Sequence, residues 1–87
     1  MSVTKVEIVP IHPQKGLIAI ASVLLDDSIY LGSIGVHKRL NDSGFRISYP
    51  TKKFGSFQSY IHHPLTKKLS HEIEFAITSK AAELFEA

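Results

Sequence analysis

Lys52-Lys53 and Lys67-Lys68 are two pairs of adjacent cations, each beside residues that could complete a phosphate-binding surface. Lys52-Lys53 is flanked by Tyr49, Phe54, Phe57 and Tyr60. Ammonium groups contact phosphates, and aromatic rings beside them can stack on exposed bases. Phe45 and Phe57 are read as core, whereas Tyr49 and Tyr60 suit either packing or contact. Lys67-Lys68 falls at the start of an amphipathic segment, the N-terminus of a predicted helix. The free N–H groups there favour anions, and the helix dipole adds about half a positive charge. Two lysines strengthen that attraction, yet the first turn of a helix is more stable with acids. A local rule broken in this way can mark a functional site. Arg46, on the strand that precedes the first lysine pair, adds a further cation.

These groups belong to a wider asymmetry. Residues 38–68 hold Lys38, Arg39, Arg46, Lys52, Lys53, Lys67 and Lys68 against one acid, Asp42. The remainder holds Lys5, Lys15 and Lys80 against Glu7, Asp26, Asp27, Glu72, Glu74, Glu83 and Glu86. The formal net charge of +2 therefore hides a polarised chain. Two readings stand side by side: an anionic partner, or a solvated loop region that collects lysine.

Other chemistries find little support. There is no cysteine, which excludes disulfides, thiol nucleophiles and cysteine-based zinc sites. His62 and His63 are adjacent, so on a strand they point to opposite faces. His12, His37 and His71 lie elsewhere, and no HxxxH or HExxH spacing occurs. No metal and no cofactor is expected. Asp26-Asp27 could in principle hold magnesium or do acid–base work, but Asp in a tight turn is there for its side-chain hydrogen bonds. No GxSxG, GxxxxGK[ST] or GxGxxG pattern occurs. No catalytic residue is assigned, and an enzyme is not expected.

The elements that must position the lysines follow from periodicity. Val3 to Ile11 alternates as a strand, with Pro10 and Pro13 read as its end. Gln14-Lys15-Gly16 is a turn. Leu17 to Leu25, LIAIASVLL, is a strand apolar on both sides. Asp26-Asp27-Ser28 is a turn, and Ile29 to Lys38 is the next strand. In it Tyr30, Ile34 and Val36 are placed on one side, and Gly32 and Gly35 suggest a bulge. Leu40 to Gly44 is a turn. Phe45, Ile47 and Tyr49 alternate with Arg46 and Ser48, and Pro50 ends that strand. Thr51 to Gly55 is read as a basic loop, and Ser56 to His62 as a fifth strand. From Thr66 the period becomes helical, with Leu69, Ile73, Ala76, Ile77, Ala81 and Leu84 on one face. Thr66 is the expected N-cap and the helix should reach about Phe85.

Eighty-seven residues make one domain, 1–87, of class α+β: an antiparallel sheet of about five strands followed by one C-terminal helix. A five-stranded sheet is roughly 20–24 Å wide, and a helix is about 10 Å across. One helix covers part of one face only. A homodimer through the sheet is the expected cover for the other. No apolar run reaches the roughly 18 residues that span a membrane, and MSVTKVEIVP lacks the layout of a signal peptide. A cytoplasmic location is expected, with neither a membrane partner nor a small-molecule substrate.

The chain resembles the stage V sporulation protein G (SpoVG) family, from Val3 to about Glu86. VTKVEIVPI is similar to the family's first strand, and GLIAIASVLLD over Gly16 to Asp26 to its most recognisable stretch. Ile34-Gly35-Val36 resembles part of its third strand. Gly44-Phe45 followed by Tyr49-Pro50-Thr51-Lys52-Lys53 resembles its G-F/L-x₄-P-S-K-R/K segment, and Ile61-His62-His63-Pro64-Leu65 the turn before its helix. The loop after Lys53 is shorter than is typical of the family. The resemblance implies an α+β dimer and a bacterial regulator of sporulation and asymmetric septation that binds DNA and RNA without catalysis. Its basic positions match Lys52, Lys53, Lys67 and Lys68. With Arg46, these are the expected nucleic-acid contacts. The alternative is a protein-interaction module of the division or sporulation machinery, its basic patch incidental.

Overall fold

The computed structural model describes residues 1–39 and 44–85. Four strands form one antiparallel sheet in sequence order: β1 (Val3–Gln14), β2 (Leu17–Leu25), β3 (Ile29–Lys38) and β4 (Phe45–Ser48). Two more, β5 (Thr51–Phe54) and β6 (Phe57–Tyr60), form a separate antiparallel hairpin. The helix α1 (Lys67–Phe85) follows. The class is the α+β expected, but the sheet has four strands and the fifth has left it to pair with the segment read as a basic loop.

Turn chemistry explains the meander. Lys15 and Gly16 both take positive φ, 52° and 91°, as a two-residue type I′ hairpin turn requires. Asp26 and Asp27 are also left-handed, at 49° and 53°. The Asp26 carboxylate accepts hydrogen bonds from the Ser2 backbone N–H at 2.9 Å and the Ser2 hydroxyl at 3.4 Å. The acidic pair is thus part of a turn, and one of its acids ties down the start of β1. The turn expected at Leu40–Gly44 lies, over 40–43, outside the described residues.

Two expectations about strands change. β1 runs on through Pro10 and Pro13 to Gln14. It is the edge of the sheet, where a proline lacking an N–H can sit without costing a ladder bond, and the register shifts between Pro10 and Gln14. In β3, Ser33 has φ 58°, and one extra residue lies between the pairs Ala21↔Ile34 and Val23↔Leu31. This bulge reverses the phase of the strand. Ile34 and Val36 are fully buried, but Tyr30 pairs with Leu24 and stands on the opposite face.

The core lies between the sheet and α1. Ala19, Ala21, Val23 and Leu25 of β2, Ile34 and Val36 of β3, Phe45 of β4, and Ile73, Ile77 and Ala81 of α1 are buried together. Val3, Val6 and Ile8 of β1 close one flank and Ile47 the other. Thr66 caps α1: its Oγ1 accepts from the Leu69 N–H at 3.2 Å. At the far end Phe85 meets Phe45, with ring centroids 6.1 Å apart. Leu84, assigned to the apolar helix face, is exposed.

Among the described residues, no element covers the opposite face of the sheet in this way. Ile20, Ser22 and Leu24 are half-buried, and the Tyr30 ring lies across Gly32, where a Cβ would sit 2.8 Å from its Cε2. No helix of the described residues is long and apolar enough to cross a membrane.

Candidate functional site

The predicted cations fall on three elements. Arg46 is on β4, opposite His37 in register, and is exposed. Because Phe45 and Ile47 face α1, alternation puts Arg46 on the uncovered side of the sheet. Lys52 and Lys53 are neighbours on β5, so they face opposite sides of the hairpin. Lys67 and Lys68 open the first turn of α1, which contains no acid. All five are exposed, and among the described residues none has a carboxylate within salt-bridge distance; Lys5–Glu7, at 3.1 Å, is the ion pair found there.

Pairing sorts the hairpin residues by side. Thr51↔Tyr60 and Lys53↔Gln58 share one side, where Gln58 Nε2 donates to Thr51 Oγ1 at 2.8 Å. Lys52↔Ser59 and Phe54↔Phe57 share the other. There the Lys52 ammonium lies 5.5 Å from the centroid of the Phe54 ring, a cation–π distance. Gly55, with φ 64°, turns the chain between the two phenylalanines as a type II′ turn requires. Phe57 is 73% exposed and Phe54 58%. The expectation that Phe57 is core is therefore corrected: among the described residues no element packs over this side of the hairpin. Phe45, at 5% exposure, is core as expected. Tyr60 is exposed and Tyr49 half-buried.

The base of the hairpin is pinned to the domain. Ile61 N–H donates to the Pro50 carbonyl at 2.8 Å. His62 Nε2 donates to the Gly32 carbonyl at 2.9 Å, beside the β3 bulge, and its ring meets Tyr49 edge-on with centroids 6.3 Å apart. His63 points away, its ring 4.8 Å from that of Tyr60. The two adjacent histidines thus have different partners, although both lie beyond the end of β6, so strand alternation is not the cause. Burial raises the Tyr49 phenol above its usual pKa, and the Glu74 carboxylate adds to the rise.

Two side-chain groups on the uncovered side of the sheet were not singled out from the sequence. His37 Nε2 and Ser48 Oγ are 2.9 Å apart, packed around Gly35. Burial lowers the His37 pKa from 6.5, and Arg46 lowers it further. A histidine–serine contact could suggest a nucleophile, but His37 Nδ1 meets no orienting group among the described residues. The two side chains meet through the β3–β4 register, Gly35↔Ser48 and His37↔Arg46, which the sequence reading did not assign.

Among the described residues no group of side chains is placed to hold a metal ion. The geometry presents cations on an acid-free helix terminus and on a hairpin with exposed rings, an arrangement suited to contacting an extended anion. Comparison with known proteins agrees with the features quoted from the sequence. The family model named SpoVG matches residues 1–83. A protein of Finegoldia magna named "Putative septation protein SpoVG" is 33% identical over 87 residues, covering 99% of this chain and 79% of that one. The chain belongs to the SpoVG family.

Proposed function

We propose that the protein is a non-enzymatic, nucleic-acid-binding regulator acting in septation or sporulation, as the name of its Finegoldia magna relative suggests. The observation that carries the proposal is the pair Lys67-Lys68 at the start of α1. Two exposed cations stand where free backbone N–H groups already favour phosphate, with no acid in that turn. Lys52 and Lys53 add further exposed cations, and DNA or RNA is the partner; Arg46, on the sheet face that α1 leaves open, is not one of these contacts. A second copy of the chain covers the sheet face bearing Ile20, Leu24 and Tyr30, which α1 leaves open. The dimer then presents two such surfaces. The protein acts in the cytoplasm and needs no metal or cofactor.

Titration with a random-sequence oligonucleotide across a salt series tests this. Affinity should fall log-linearly with salt, with a slope of about −0.7 to −0.9 per phosphate neutralised. Lys67→Glu with Lys68→Glu should weaken binding sharply and flatten the slope by about one unit for each phosphate that is no longer neutralised. The fold should hold, because acids in the first turn of a helix are favourable by about 0.3–1 kcal/mol. Unchanged binding would reduce the patch to a solvated face. Sedimentation at micromolar concentration tests the second copy; a 9.7 kDa species alone would end that part of the proposal.

A further inference from the structure

We infer that the β5–β6 hairpin is a base-stacking arm, and that the nucleic acid it takes is single-stranded. The inference rests on the nucleic-acid reading above and adds which form is bound and by which side chains.

Phe54 and Phe57 face each other across the end of the hairpin, on one side, and both are mostly exposed. Residues directly opposite in an antiparallel pair have Cβ atoms about 4.5–5.5 Å apart, so the two side chains leave the hairpin as neighbours on one side, a platform of two exposed rings within reach of adjacent bases. Lys52 lies on the same side, its ammonium held near the Phe54 ring. Lys53 is on the reverse. The segment from Thr51 to Tyr60 contains two lysines and no acid. An exposed π surface with cations at its edge matches a chain that alternates bases with phosphates.

The same geometry favours a single strand over a duplex. In a duplex each base face is covered by its neighbours, and opening a stack costs a few kcal/mol. A phenylalanine offers no hydrogen bond to a groove edge. It gains only where a base face is already free. A second copy of the chain is the other candidate for covering these rings. A symmetric contact of this side with itself would double the lysine charge at the contact, whereas a polyanion neutralises it.

Binding of oligothymidylate and of a random duplex of equal length, measured for wild type and for Phe54→Ala, Phe57→Ala and the Phe→Leu counterparts, tests the inference. Each alanine change should lower oligothymidylate affinity by about 5- to 150-fold, the worth of one base stack. Duplex affinity and its salt slope should not move, since lysine–phosphate contacts carry them. The leucine variants should lose nearly as much, because leucine keeps apolar bulk but has no aromatic face. Full affinity in the leucine variants, or unchanged affinity in the alanine ones, overturns the inference while leaving lysine-based binding intact. A shift to a smaller sedimenting species in Phe57→Ala also overturns it and assigns the platform to a second copy. If wild type binds neither oligonucleotide, the underlying reading fails and this one with it. Both phenylalanines are exposed and outside the core, so these variants fold.

Discussion

The helix-covered face of the main sheet and the β5–β6 hairpin use the same device, alternation along antiparallel strands, with opposite results. On β2 the alternate residues Ala19, Ala21, Val23 and Leu25 are buried against α1. On β5 and β6 every residue is exposed, the phenylalanines included. Alternation fixes which side chains share a side; it does not say whether anything covers that side. In the first region apolar residues stabilise the fold. In the second they contribute little to it, which leaves them free for contact with something else.

The largest effect should come from the covered region. Ile73 and Ile77 are fully buried against the sheet. Truncating either to alanine should cost about 2–5 kcal/mol, through reduced transfer energy and a residual cavity. That is a large share of the roughly 5–15 kcal/mol typical of a domain. Phe57→Ala deletes a larger side chain and should change stability by no more than about 0.5 kcal/mol. Urea unfolding of the variants measures both. A Phe57→Ala cost approaching that of Ile73→Ala would erase the contrast and show the hairpin to be packed in solution.

A second difference should appear in amide exchange. An isolated two-stranded hairpin is marginal in water, whereas strands of a packed sheet exchange only on global opening. The amides of β5 and β6 should exchange fast and those of β2 and β3 slowest. Oligonucleotide should slow the hairpin selectively. Hairpin protection equal to that of β2 in the free protein would mean that it is already covered.

The helix end sharpens the comparison at about 1 kcal/mol. Thr66→Ala removes the hydroxyl that caps the Leu69 N–H and should destabilise by about that amount, read from the urea midpoint. It removes no cation, so a fall in nucleic-acid affinity beyond what unfolding explains would show that the lysines need an ordered first turn.

How much of this was legible depends on how local the cause is. β2 was, since eight apolar residues and a single serine stand between two turns. So was α1, whose cap and apolar face are near in sequence. β5 was not. Its four residues include two lysines and follow a proline, and only pairing across Gly55-Ser56 makes them a strand. The run of β1 past Pro10 was hidden because an edge position, which tolerates proline, is a property of the whole sheet. The phase of β3 was hidden by Ser33: Gly32 and Gly35 hinted at a bulge, but the left-handed residue is a serine. Among the candidate contacts, exposure at a helix start was readable for Lys67 and Lys68. The exposure of Phe57 was not, because nothing in its own strand says that no layer lies above it.

The smallest effect concerns the uncovered side of the main sheet, which is intermediate between the two regions. His37 sits there with Nε2 2.9 Å from Ser48 Oγ and with Nδ1 buried and unpartnered among the described residues. Protonation would add a second N–H donor with nothing to receive it, beside the Arg46 cation. Burial therefore lowers the folded pKa below 6.5, and Arg46 lowers it further. Between that lowered value and about 6.5 the unfolded chain binds more protons than the folded one, so stability rises with pH across this window. The contribution is complete above about pH 6.5 and is lost as pH falls toward the folded pKa. His37→Gln, which can keep the bond to Ser48 but cannot titrate, should lose less stability between about pH 7 and pH 5.5 than wild type, the other histidines being common to both. Arg46→Gln should lie between the two, since it removes only the second cause. If the second copy covers this side of the sheet, His37 is buried further. The acid sensitivity of wild type should then grow with protein concentration as the dimer fills, and a pH profile independent of concentration would place His37 outside the contact.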